Sequence, residues 1–141
     1  MEIKATLQKP YEDNERMDFV VKYNHNQGYE IQETETELQA LGYTEEEIAL
    51  QERERISLLN LTGADVERGI YQAKGMDFDD ILAFVTANPP QGLDVKALKI
   101  ELKANHFYRG NPYVDAIGAL LGFTSEQLDK FFETNDPQYL K

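Results

Sequence analysis

At 141 residues the chain suits one domain, or two small subdomains sharing an interface, with a core that needs no covalent staple. It contains no cysteine, which removes disulfides, thiolate metal sites and cysteine nucleophiles together, and no apolar run long enough for a secretory signal or a membrane span, so a reducing cytoplasm is the expected setting. The net charge of -12, from 14 basic and 26 acidic residues, opposes direct binding to nucleic acid or to an anionic membrane.

Most of that charge falls early: residues 1–60 carry -8 and residues 61–141 carry -4. Ile3, Ala5 and Leu7 alternate with Glu2, Lys4 and Thr6, the period of a short half-buried strand. Pro10 followed by Glu12, Asp13 and Glu15 opens a helix to about Gln27, with Met17, Val20, Val21 and Asn24 on one face and Gly28 as its left-handed stop. Tyr29 and Ile31 then alternate with Glu30 and Gln32, predicting a second strand that pairs with the first in a small β-α-β unit. Thr34 to Leu41 reads as a short helix closed by Gly42. Thr44 and Glu47 form a capping box for a longer helix carrying Ile48, Leu50, Ile56 and Leu59, its other face dense in glutamate.

Asn60 to Gly63 interrupts the pattern and the acidity drops, placing a subdomain boundary near residue 60. Thr62 caps a helix through Val66, Ile70 and Tyr71 that stops at Gly75, and Asp77 opens another through Phe78, Ile81, Leu82 and Val85 that Asn88-Pro89-Pro90 ends. Leu93 to Asn105 predicts the next helix. Asn111-Pro112 starts one that runs to Gly122, and Thr124 with Gln127 caps the last, which carries Leu128, Phe131 and Phe132. Gln138 to Lys141 reads as a loose tail. The fold class expected is mainly α (α+β), a small β-α-β-like part over residues 1–60 packed on a bundle of about five short helices over residues 61–141.

Residues that could carry chemistry are scattered. His25 and His106 fall in different halves without metal-ligand spacing, and Asp77, Asp79 and Asp80 sit where a helix start wants carboxylates. Ser57 and Ser125 lack a nucleophile elbow, and the glycines are spaced as element boundaries rather than as a phosphate loop. No catalytic residue, metal ligand or cofactor is therefore expected. The connector His106 to Tyr113 concentrates aromatics around one arginine. Tyr108, Arg109 and Tyr113 can form an interaction patch, or the connector can cap the core with Arg109 stacked on a ring or bonded to a helix carboxyl end.

Lys4-Ala5-Thr6-Leu7-Gln8-Lys9-Pro10-Tyr11, Asn24 to Ile31 and Glu33 to Thr36, with Lys96 to Lys103 and Gly110 to Tyr113 in the second half, resemble short uncharacterised proteins encoded by bacteriophages and prophages of Gram-positive bacteria. The resemblance covers most of the chain and brings no active site. It implies a bacterial host cytoplasm, or a virion, as the setting. The function expected is a non-enzymatic protein that binds another phage or host protein, as a tail-region virion component or an assembly accessory. The alternative is an acidic decoy that mimics DNA and inhibits a nucleic-acid-processing protein. Helical periodicity leaves the oligomeric state open.

Overall fold

In a computed structural model, which describes residues 1–141, the chain divides into two units, Met1–Glu52 and Arg53–Lys141. The first unit holds β1 (Glu2–Gln8), α1 (Asp13–Lys22), β2 (Glu30–Glu33), β3 (Glu37–Gly42) and the opening turns of α2 (Glu45–Ser57). Its sheet has the order β1-β3-β2, and both outer strands run antiparallel to β3. β1 and β2 are therefore parallel to each other, so β1-α1-β2 is a β-α-β crossover with β3 inserted between its strands. The expected direct pairing of the first two strands is replaced by pairing of each with β3.

That central strand corrects the helix expected over Thr34 to Leu41. The Thr34 hydroxyl accepts the Glu37 backbone N–H at 3.0 Å, and the Thr34 N–H donates to the Glu37 carbonyl at 2.8 Å, closing a tight turn at residues 34–36. Beyond the turn, Leu38 and Ala40 alternate with Gln39 and Leu41 and are fully buried. Hydrogen bonds from both flanks override the helix preference of a Glu-Leu-Gln-Ala-Leu run. The helix expected to reach Gln27 ends at Lys22; a 3-10 turn over His25–Gln27 follows, capped by Asn24 and closed by Gly28 at φ 87°.

The phase of α1 also differs from expectation. Phe19 points into the core, its ring tilted against Tyr23 at 5.0 Å, and Tyr23 in turn meets Tyr29 edge-on at 5.2 Å, whereas Met17 and Val21 face solvent. A phenyl ring buries more apolar surface than Met and Val on a turn this short, and it selects the inward face.

The second unit holds the rest of α2, then β4 (Asn60–Thr62), α3 (Gly63–Lys74), α4 (Phe78–Ala87), α5 (Val95–Glu101), β5 (His106–Tyr108), α6 (Pro112–Leu121) and α7 (Ser125–Thr134). The five-helix bundle expected is thus formed by α3 to α7, tied by an antiparallel β4-β5 ribbon in which Leu61 faces Phe107. Capping fixes the helix starts: Thr62, Asp77, Asn111 and Thr124 each accept a backbone N–H of their first turn. The helix expected to run to Asn105 ends at Glu101, because residues 106–108 are drawn into the ribbon.

Two glycines bring the helices together, Gly69 of α3 against the Phe131 ring and Gly118 of α6 against Leu128. Gln138 to Lys141 is not loose: Pro137–Leu140 forms a 3-10 turn packed on α3 and α7, with Leu140 buried. The division between units falls at Glu52/Arg53, earlier than the composition break near residue 60. Arg53 and Arg55 pair with Asp129 and Glu133 of α7 and so belong to the bundle.

Candidate interaction surface

The connector after β5 is held by backbone before any side chain acts. The Arg109 N–H donates to the Leu59 carbonyl at 2.8 Å and the Gly110 N–H to the Ser57 carbonyl at 3.0 Å, extending the β4-β5 ribbon. Alternation along the ribbon sends Phe107 into the core and Tyr108 outward, opposite Asn60.

The next side chain turns back inside. Arg109 is 2% exposed, and its Nε donates to Asp129 Oδ1 at 2.8 Å, Nη1 to Asp115 Oδ1 at 2.7 Å and Nη2 to Ser125 Oγ at 3.0 Å. Asp129 is shared: Arg53 clamps it with Nη1 to Oδ2 at 2.9 Å and Nη2 to Oδ1 at 3.0 Å. Burial alone would raise the Asp129 pKa. The hydrogen bonds from Arg53 and the charges of Arg109 and Arg53 outweigh it and hold the carboxyl below its ordinary value. The same hydrogen bond raises the pKa of Arg53.

Tyr108, Arg109 and Tyr113 therefore do not make one surface. Tyr108 is exposed, Tyr113 is half-buried against the core, and Arg109 joins the first turns of α6 and α7 from inside. Its partners are carboxylates and a hydroxyl near helix amino ends, not a ring or a helix carboxyl end. Asp115, Asp129 and Arg53 carry this network without any sequence signal, since Arg53 and Asp129 are 76 residues apart.

Other residue groups singled out by type resolve into local structure. Asp77 and Asp80 bond reciprocally as a capping box, and His25 and His106 are both exposed. No group of three His, Asp or Glu side chains converges to hold a metal ion, and no helix is long and apolar enough to cross a membrane. In the first unit Glu33 accepts the Tyr11 hydroxyl at 2.7 Å and lies 3.4 Å from Lys9 Nζ; that hydrogen bond, then the lysine charge, lower its pKa.

No protein-family model, curated protein or solved structure matches this chain. On α1, Met17 and Val21 are 67% and 65% exposed, four residues apart and so adjacent on one helix face, with half-buried Val20 beside them and Asp13 and Arg16 at the margin. They sit in a unit with 13 acidic and four basic side chains. On the opening turns of α2, Ile48 and Leu50 are likewise exposed, behind Glu45, Glu46 and Glu47.

Proposed function

We propose that the protein is a non-enzymatic interaction protein of a bacteriophage or prophage. It binds another phage or host protein through the Met17–Val21 face of α1, as a virion component or assembly accessory. The observation that carries this reading is the exposure of Met17 and Val21 side by side while Phe19 and Val20 hold the helix to its core. An apolar pair kept in water on a carboxylate-rich unit suits a partner that brings apolar side chains inside a basic rim. The phage setting rests on the sequence resemblance.

The test is capture from the native cell with its prophage induced, using the wild-type protein and Met17→Ser/Val21→Ser, followed by calorimetry with the purified partner. Both positions are exposed, so the variant keeps its far-ultraviolet circular dichroism and stays within about 1 kcal/mol of wild-type stability. A virion or assembly protein bound by wild type and weakened about tenfold or more by the variant supports the reading. Equal capture by both proteins overturns the docking face. Recovery of a nuclease, polymerase or restriction subunit in place of virion proteins favours the acidic decoy.

A further inference from the structure

The molecule's strongest local departure from its overall charge lies on α5. Eight cations elsewhere are engaged: Lys4, Lys9, Arg53, Arg55, Arg68 and Arg109 each pair with a carboxylate, while Lys22 and Lys74 lie over the rings of Tyr23 and Phe123. Lys96, Lys99 and Lys103 are all exposed and form no such pair. The two acids nearest in sequence are occupied elsewhere, Asp94 capping the Ala97 N–H at 3.1 Å and Glu101 accepting Asn111 Nδ2 at 3.2 Å.

At the centre of these lysines stands Ile100, 70% exposed. Lys96 lies one turn before it on the same helix face. The Lys103 N–H donates to the Ile100 carbonyl at 3.1 Å, a tightened i to i+3 turn that brings Lys103 over Ile100. Leu98, 1% exposed, fixes the opposite side of the helix in the core, so the face is presented by a rigid support. One exposed isoleucine is ordinary; one ringed by three unpaired ammonium groups, whose methylene stems widen the apolar area, is a mixed apolar and cationic surface.

We propose that this face of α5 is a second docking surface, one that takes a short acidic amphipathic segment of a partner protein. An apolar side chain of that segment packs on Ile100, and its carboxylates meet Lys96, Lys99 and Lys103. Charge and shape select this occupant. A nucleic acid or an anionic bilayer is large enough to meet the field of the whole chain, whose -12 repels it, and a second copy brings the same -12. A short segment meets only the patch, because charges beyond roughly 8 Å are screened at physiological salt. Phosphates also offer Ile100 nothing apolar. This face belongs to the second unit and Met17 and Val21 to the first, and neither result decides the other.

The experiment is an anisotropy titration of a fluorescein-labelled synthetic helix, with leucines four apart among glutamates, against wild type, Ile100→Ser and Lys96→Glu/Lys99→Glu/Lys103→Glu. All substituted residues are exposed, and circular dichroism checks that each variant is folded. Wild type is expected to bind, more weakly as salt rises. Each variant is expected to lose about tenfold or more, as suits three charge pairs and one apolar anchor. A peptide with serine in place of leucine should bind no better to wild type than to Ile100→Ser. Absence of binding, equal binding by the variants, or equally tight binding of phosphatidylglycerol vesicles or single-stranded DNA overturns the proposal. So does wild-type dimerisation in sedimentation that Ile100→Ser abolishes.

Discussion

Arg109 and Asp129 meet through Nε and Oδ1 at 2.8 Å, and the carboxylate they share with Arg53 joins the β5 connector to α7 and to the end of α2. This contact turns a residue type typical of interfaces into an internal one. Replacing Arg109 with Met keeps the stem volume but leaves Asp115 and Ser125 without their donor. Stability should fall by about 2–3 kcal/mol, less than for a fully buried pair because Arg53 still holds Asp129. Tyr108→Ala should stay within about 1 kcal/mol. Urea unfolding measures both, as a midpoint shift at constant slope.

The same carboxylate makes stability fall in acid. In the folded state the Asp129 pKa lies below its unfolded value of about 3.9, so the folded state favours the charged form. Its contribution is fully present above that unfolded value and disappears as pH drops through the folded one. Asp129→Asn should therefore lower the urea midpoint at pH 7 and show a smaller further loss than wild type between pH 5 and about pH 3.

Gly69→Ala and Gly118→Ala test close helix approach. A Cβ at Gly118 would stand 2.6 Å from Leu128 Cδ1, and one at Gly69 would overlap the Phe131 ring. The overpacking cost is about 1–3 kcal/mol for each, read from thermal or urea unfolding. Gly69 should suffer more, because an aromatic ring buried in the core yields less readily than the end of a leucine.

Leu140→Ala should destabilise the second unit by about 2–5 kcal/mol, the range for deleting a buried leucine, although the position reads as part of a tail. Gln138→Ala, at an exposed site two residues earlier, should change the midpoint little.

Sequence disclosed what local rules control. Thr62, Asp77, Asn111-Pro112 and Thr124 marked helix starts because a cap needs only its own first turn, and Gly75 and Gly122 marked stops through their left-handed φ. What stayed hidden depends on partners distant in the chain. β3 is spelled in helix formers and becomes a strand because β1 and β2 flank it, and β5 is three residues long and exists only opposite β4. The Arg109 network is illegible for the same reason, since nothing near residue 109 announces Asp129. The inward turn of Phe19, and hence the exposure of Met17 and Val21, was decided by competition between two faces that periodicity alone ranks alike. The unpaired state of Lys96, Lys99 and Lys103 depends on where the carboxylates of other elements lie, which no local pattern reports.

The separation between Arg53 and Asp129 also orders events on the ribosome. All three strands of the small sheet are available once residue 42 has emerged, so the first unit can close through local contacts. The second cannot: Leu61, Val66 and Ile70 wait in solvent until Phe131 and Leu140 are delivered to cover them. During that interval each nascent chain displays an apolar surface together with the strongly anionic first unit. The carboxylate excess of the first unit opposes close association of chains whose later core is still open.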